Sequence, residues 1–258
     1  MLHFDRIAGQ DPRHPPLLIV HGLFGSARNW GVIARRLADT RDTITVDMRN
    51  HGASFHAASN GYDDLAADLA EVIEAAGGRV DVLGHSMGGK AAMMLALTRP
   101  ERVDRLIVAD IAPVAYGHSQ SHLIHAMRGL DLTGLTTRGE ADRRLAEELR
   151  APVLRAFLLQ SLDLKAQPPR WRLNLDVLEA EMDRIIGWPD ISGQFDGPSL
   201  FLSGGASDYV LPEHRARIKA LFPNSRFARI PGAGHWLHAE KPREFEENVR
   251  VFLASGRE

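Results

Sequence analysis

Short apolar runs rich in β-forming residues alternate along this chain with longer segments of helical spacing. Strands are predicted at residues 17–20, 43–46, 80–83, 106–109, 199–202 and 226–230. Helices are predicted between them, near residues 30–38, 63–76, 87–98, 212–222 and 242–253. This alternation is typical of βαβ units, in which a mostly parallel sheet carries helices on both faces. Residues 2–7 (LHFDRI) are predicted to add an antiparallel edge strand.

The alternation stops between about residues 116 and 195. Helices are predicted there near 118–129, 138–149, 152–160 and 176–186, with no strand among them. An all-helical insertion of this kind would cover the carboxyl edge of the sheet, where open α/β sheets bind ligands. We therefore predict an α/β core made of residues 1–115 and 196–258 and a helical cap made of residues 116–195.

The composition excludes several classes of protein. The chain has no cysteine, which removes disulfides, a thiol nucleophile and cysteine-ligated zinc. A formal net charge of −2 offers no positive field for nucleic acid or an anionic membrane. No apolar run approaches the ~20 residues that cross a bilayer, and the first residues lack the apolar stretch of a signal peptide. We expect a soluble cytoplasmic protein without nucleic-acid or membrane partners, and no oligomeric state is predicted.

A serine follows one of the predicted strands directly. Strand 80–83 runs into GHSMG at residues 84–88, and a helix rich in small residues follows. This is the pattern of a nucleophile elbow, a strained turn that exposes a serine at the edge of a sheet. Gly84 and Gly88 leave room there for the strand and the helix to approach each other closely. Ser86 is the predicted nucleophile, and the backbone N–H of Met87 is a predicted donor to an oxyanion.

Two other strand ends supply candidate partners for this serine. Strand 17–20 ends in HGLFGS at residues 21–26, a glycine-bearing loop that leaves backbone N–H groups free. The N–H of Leu23 is the second predicted oxyanion donor. The last strand is followed by PGAGHW, which places His235 on a tight loop at the same edge as the candidate base. After strand 43–46, Asp47 and Arg49 are predicted to pair and hold the oxyanion loop, with substrate contact by Asn50 or His51 as the alternative.

Together these motifs resemble the α/β-hydrolase superfamily, and more closely the YbfF-type bacterial esterases and their eukaryotic α/β-hydrolase-domain relatives. The matching stretches are HGLFGS (21–26), DMRNHGAS (47–54), GHSMGGK (84–90), DIAPV (110–114) and GAGHWLHAEKP (232–242). The resemblance implies an α/β-hydrolase fold with a mostly parallel eight-stranded sheet and a helical cap. It also implies hydrolysis of carboxylic esters or acyl thioesters without a cofactor. Ser86 and His235 carry over by motif, in the chain order serine, acid, histidine.

Two carboxylates compete for the place of the acid. The histidine needs one on its second nitrogen, to fix the tautomer and stabilise the imidazolium. Most of the superfamily places the acid after strand 199–202, where Asp208 stands in SGGASDYVLPE. The YbfF-type subgroup places it one strand earlier, where Asp110 ends the strand before IAPV. We favour Asp110, while a turn cap at Asp110 and a surface-loop role for Asp208 stay open.

The segment 116–195 also carries histidines at helical spacing. His118, His122 and His125 follow one another at i, i+4 and i+7, which is compatible with metal ligation. No carboxylate partner lies near them in the sequence, and we predict no metal. The charges of this segment are balanced, which gives a coenzyme A thioester no basic patch.

The expected function is that of a serine hydrolase that cleaves esters or thioesters through an acyl-enzyme on Ser86. Its partner would be a small acyl ester or thioester. Aromatic residues are the candidate walls of the substrate pocket: Phe24, Phe157, Trp188 and Trp236. The alternatives are a cofactor-free haloperoxidase or perhydrolase, a carbon–carbon bond hydrolase with the same triad, and a ligand receptor on the same fold.

Overall fold

Nine strands lie in residues 1–11 and 13–255, the part of the chain that a computed structural model describes. They are β1 (Phe4–Ile7), β2 (Leu17–Val20), β3 (Thr43–Val46), β4 (Val80–His85), β5 (Val103–Ala109), β6 (Leu162–Asp163), β7 (Arg170–Trp171), β8 (Ser199–Gly204) and β9 (Ser225–Ile230). Every strand predicted from the sequence is present, including the edge strand β1. Residue 12 and residues 256–258 of the predicted core lie outside the described residues.

Seven of these strands form one sheet in the order β1-β3-β2-β4-β5-β8-β9. Strand β1 pairs antiparallel with β3, and all other neighbours are parallel. The resemblance implied eight strands, and the described residues hold seven in this sheet. Among the described residues, β1 is the strand of this sheet that precedes β2.

Helices cover both faces of the sheet. They are α1 (Gly31–Leu37), α2 (Tyr62–Ala75), α3 (Met87–Thr98), α9 (His214–Leu221), α10 (Leu237–Glu240) and α11 (Pro242–Ala254). Alternate residues of β2 enter different halves of the core: Leu18 packs with α2 and α3, and Leu17 packs with α1 and α11. All four residues of β2 are buried, as expected for a parallel strand with helices on both faces.

The chain between β5 and β8 is mostly helical. It contains α4 (Ser121–Gly129), α5 (Arg138–Leu145), α6 (Pro152–Leu158), α7 (Leu175–Ala180) and α8 (Met182–Ile186). The predicted helix 176–186 is interrupted at Glu181 and forms two helices. The expectation of no strand in this segment is corrected by β6 and β7, which pair antiparallel over two residues each. Pairs this short leave no alternating pattern in a sequence.

None of the helices in the described part of the chain combines the length and the apolar character that a membrane span requires.

Candidate active site

Ser86 occupies the sharp turn between β4 and α3. Its backbone has φ 52° and ψ −121°, in a region that residues other than glycine rarely adopt. The flanking glycines allow the turn to form. A Cβ on Gly84 would lie 2.3 Å from the carbonyl oxygen of Gly88, and a Cβ on Gly88 would lie 2.4 Å from that of His21. This is the geometry of the elbow that the spacing predicts.

A continuous hydrogen-bonded path joins Ser86, His235 and Asp110. The Oγ of Ser86 lies 3.0 Å from Nε2 of His235, and Nδ1 of His235 lies 2.8 Å from Oδ2 of Asp110. The carboxylate is fully buried at the end of β5. Its Oδ1 accepts a bond of 2.9 Å from the N–H of Gly204, and its Oδ2 also accepts one from the hydroxyl of Ser207. These two donors fix the orientation of the carboxylate beside His235.

The other candidate acid, Asp208, lies apart from this path. Its side chain is exposed, and among the described residues the carboxylate that bonds to His235 is that of Asp110. The preceding residue, Ser207, is the one that turns toward the site. The geometry therefore favours Asp110 as the partner of His235.

The two predicted oxyanion donors lie beside Ser86. Leu23 and Met87 both line the same cavity as the serine. Met87 is the first residue of α3, so its N–H has no acceptor within the helix. Among the described residues the structure also gives the N–H of Leu23 no acceptor. A Cβ on Gly22 would lie 3.1 Å from Cβ of Ser86, which shows how closely this loop approaches the serine. Both N–H groups are available to an oxygen bound there.

Two buried histidines hold the loop that carries Leu23. The N–H of Phe24 donates to Nε2 of His51 at 3.1 Å, and Nδ1 of His51 donates to the carbonyl of Arg49 at 2.9 Å. In the same way, Nε2 of His21 accepts from Met48 at 2.9 Å. Each ring accepts a backbone N–H, so each must be neutral. Burial lowers the pKa of His21, and it lowers that of His51 to about 3. The motif HGLFGS predicted the loop but not the contact between His51 and Phe24.

Asp47 and Arg49 do not form the predicted pair. The carboxylate of Asp47 accepts from the N–H groups of Ala27 at 2.7 Å and Ala53 at 2.8 Å. Arg49 instead binds Asp68 of α2, with Nε 2.6 Å from the carboxylate. Asp47 thus holds the chain after the oxyanion loop through backbone N–H groups, which a sequence pattern does not specify. Neither Asn50 nor His51 lines the cavity, so the structure does not support substrate contact by either.

A cavity of about 290 Å³ opens beside Ser86. Three of the predicted pocket residues line it: Phe24, Phe157 and Trp236. The rings of Phe157 and Trp236 lie 5.8 Å apart between centroids. The structure does not bring Trp188 to this wall. Its ring lies 6.2 Å from that of Tyr62, and Tyr62 is the residue that faces the cavity.

His85 fixes the loop that carries His235. Its Nε2 lies 2.8 Å from the backbone carbonyl of His235 and donates to it. His238 packs beneath, stacked on Trp30 with 4.2 Å between the ring centroids. Burial lowers the pKa of His85 well below its usual range and that of His238 to about 3. The two histidines are therefore neutral packing groups.

The histidines of the segment 116–195 do not converge on one point. Nε2 of His118 lies 3.0 Å from the hydroxyl of Tyr209, and His125 pairs with Glu179. Residues 1–11 and 13–255 contain no group of three or more metal-ligating side chains placed to hold an ion.

Lys90 is a buried cavity residue that sequence reasoning did not single out. It follows Ser86 by one helical turn and is 1% exposed. Its Nζ donates to the carbonyls of Ile186 at 2.8 Å and Gly187 at 2.5 Å, and it lies 4.8 Å from the ring centroid of Tyr116. Burial lowers the pKa of Lys90 to about 7. A neutral amine still has two N–H donors, which match the two carbonyls.

The buried lysine leads to a prediction about stability and pH. The folded protein releases the Lys90 proton near pH 7, whereas the unfolded chain keeps it up to about pH 10.4. Between these values the unfolded state binds more protons, so this lysine makes the free energy of unfolding rise with pH, by up to about 1.4 kcal/mol per unit.

Urea unfolding at several pH values measures this slope. The native protein should show it, and Lys90→Met should lack it. The matched change at an exposed lysine, Lys219→Met, should keep it. Equal slopes in all three proteins would show that Lys90 stays charged.

Comparison with known proteins places the chain among esterases and lipases. Residues 15–242 match the family model described as alpha/beta hydrolase fold. The chain is 39% identical over 253 residues to the sn-1-specific diacylglycerol lipase ABHD11 of Mus musculus, over 95% of this chain and 82% of the mouse protein. It is 39% identical over 241 residues to Esterase YbfF of Escherichia coli (strain K12), over 92% of each protein. A solved structure named marine microorganism esterase superposes with a TM-score of 0.91 at 38% identity, over 97% of this chain and 98% of that one.

Proposed function

The chain belongs to the alpha/beta hydrolase family, among its esterase- and lipase-type members, and we propose that it cleaves carboxylic esters through an acyl-enzyme on Ser86. One observation carries the proposal. The serine, the histidine and the buried carboxylate of Asp110 are joined by hydrogen bonds of 3.0 and 2.8 Å at the wall of a substrate-sized cavity. This arrangement is able to move a proton from the serine at the moment of attack.

In the first half of the reaction, Ser86 Oγ attacks the ester carbonyl while Nε2 of His235 takes the hydroxyl proton. The carboxylate of Asp110 stabilises the imidazolium that results. The N–H groups of Leu23 and Met87 donate to the oxygen of the tetrahedral intermediate. The intermediate collapses, the carbon–oxygen bond to the alcohol breaks, and the histidine returns its proton to the leaving oxygen.

In the second half, water takes the place of the alcohol. His235 accepts a proton from the water as it attacks the acyl carbon, and the same two N–H groups bind the second oxyanion. The bond to Ser86 then breaks, and the histidine proton passes to Oγ. The acid is released and the free serine is restored.

The cavity supports an apolar acyl group. Besides the aromatic residues, it is lined by Leu123, Leu154 and Ile186, all from the segment between β5 and β8. We propose that residues 116–195 form a cap that selects the acyl chain, over a core that carries the reacting groups. The names of the relatives, an esterase and a diacylglycerol lipase, support an oxygen ester over a thioester as the substrate.

A pre-steady-state measurement with a p-nitrophenyl ester tests the proposed function. We expect a burst of about one p-nitrophenol per chain followed by steady turnover, since an acyl-enzyme accumulates when deacylation is slower. A burst without turnover would instead indicate a ligand receptor that is acylated once. No release above the buffer rate would contradict the proposal.

Chain-length selection should depend on Phe157. Phe157→Ala enlarges the cavity at its wall, so we expect the ratio of kcat/KM between octanoate and butyrate esters to rise by about tenfold, the scale on which a hydrophobic pocket discriminates. Trp188→Phe is the matched control, because this ring lies in the same segment but outside the cavity. It should leave the ratio unchanged. Equal losses on both esters in the Phe157 variant would point to damage of the fold.

A further inference from the structure

The ring of Tyr209 lies flat against the imidazole of His235. The two centroids are 3.9 Å apart and the planes differ by 19°, so the rings are stacked face to face. Tyr209 follows β8, lines the cavity and is half-buried. The proposed reaction gives this residue no role.

Tyr209 is fixed from both ends. Its hydroxyl lies 3.0 Å from Nε2 of His118, and its backbone carbonyl accepts a bond of 2.7 Å from the hydroxyl of Tyr116. The hydroxyl of Tyr116 also accepts from the N–H of Ala112, at 2.9 Å, in the loop that follows Asp110. The stacked ring is therefore tied to the segment 116–195 and to the loop beyond the buried acid. A surface tyrosine that merely touched the histidine would not have these anchors.

The stacked ring of Tyr209 restrains the imidazole of His235 in a direction that its hydrogen bonds do not. The bonds to Ser86 and Asp110 lie in the plane of the imidazole and hold its two nitrogens. A ring packed against the face of the imidazole resists tilting out of that plane. The face of an aromatic ring also carries negative charge density, which attracts a cation that lies over it.

We propose that Tyr209 is a positioning residue that acts through His235. It holds the imidazole in the plane that Ser86 requires, and it stabilises the imidazolium formed when the serine proton moves to Nε2. The inference rests on the proposed function, because the imidazolium matters to turnover only if Ser86 is the nucleophile.

Three variants of Tyr209 distinguish the contribution of its ring to turnover from that of its hydroxyl. Tyr209→Phe keeps the ring and loses the bond to His118, whereas Tyr209→Leu and Tyr209→Met lose the ring and keep apolar volume. We expect Tyr209→Phe to stay within about threefold of the native kcat, and the ring-free variants to lose about threefold to thirtyfold in kcat with a smaller change in KM. A general loosening of the cavity wall would instead raise KM together with the loss in kcat.

The pH profile is the sharper measurement. Without the aromatic face the imidazolium is less stable, so the base loses its proton at a lower pH. The acid limb of the kcat/KM profile, which reports the free enzyme, should move down by about half a unit to one unit in the ring-free variants. In Tyr209→Phe it should stay in place.

An NMR titration measures directly, without turnover, the pH at which His235 loses its proton. The ring signal of His235, assigned by its absence in His235→Gln, should titrate at a lower pH in the ring-free variants and at the native pH in Tyr209→Phe. An unchanged titration in folded Tyr209→Leu and Tyr209→Met, or a Phe variant as impaired as they are, would overturn the proposal. If the native protein releases no product from an activated ester, the proposed function fails, and the titration still decides whether the stack stabilises the cation.

Discussion

Replacing Ser86 by alanine is expected to lower kcat by about 10⁴- to 10⁶-fold, the range found when the nucleophile of a serine triad is removed. The change removes the only oxygen placed 3.0 Å from Nε2 of His235 among the described residues. The oxyanion donors and the cavity remain, so a small residual rate above water should survive. The backbone at residue 86 is already held at φ 52° by its surroundings, so alanine should fold as serine does. Steady-state rates and thermal unfolding measure the two effects.

Covalent labelling identifies the serine independently of rates. An organophosphonate should add once per chain, and peptide mapping should place the adduct on Ser86. Ser119→Ala, at an exposed serine in the segment 116–195, is the matched control and should label and turn over normally. Near-native turnover in Ser86→Ala, or an adduct on another serine, would rule out the proposed mechanism.

Asp110→Asn should cost about 10⁴-fold in kcat, the loss seen when the acid of such a triad becomes an amide. The amide keeps the shape of the carboxylate but can turn an N–H toward Nδ1 of His235. The imidazole would then hold its proton on Nε2, where it cannot accept the proton of Ser86. Asp208→Asn should cost tenfold or less, because the exposed carboxylate of Asp208 lies apart from the histidine. Rates of both variants at several pH values provide the comparison.

The opposite ranking of these two variants would return the protein to the arrangement most common in its superfamily. Comparable losses in both would mean that two carboxylates act on one histidine. The double variant, Asp110→Asn with Asp208→Asn, tests this second case. The two losses in kcat multiply if the carboxylates act independently and do not multiply if they act on the same histidine.

The parts of the fold that follow from local pattern were predicted from the sequence. Parallel strands buried on both faces appear as apolar runs, which is why strand 17–20 was predicted with its observed bounds. The elbow at Ser86 was predicted because a strand, two glycines at fixed offsets and a helix are all local features. The choice between Asp110 and Asp208 was harder. Each of the two carboxylates follows a strand. The side chain of Asp110 reaches His235 because its backbone is left-handed, with φ 52°, and because β5 pairs with β8.

The contacts that the sequence did not reveal join segments far apart in the chain. His51 holds the N–H of Phe24 across 27 positions, and Lys90 reaches the carbonyl of Ile186 across 96. Trp188 is predicted as a pocket residue because it is an aromatic residue of the segment 116–195, but its orientation depends on how Tyr62 packs against it. When two aromatic rings pack together, as those of Tyr62 and Trp188 do, their residue types do not specify which of the two lines the cavity.

The chain leaves the sheet at Ala109 and re-enters it at Ser199, on the strand that pairs directly with the one it left. The entropy of closing such an excursion grows only slowly with its length. Evolution can therefore lengthen, shorten or recombine the excursion at two crossover points without altering the pairing of the sheet. Ser86, Asp110 and His235 all lie outside residues 116–195. A chimera in which a relative's equivalent segment replaces residues 116–195 should acquire that relative's substrate range. It should keep the chemistry of Ser86, Asp110 and His235, provided that the contacts made by Lys90 and Tyr209 with the segment are restored.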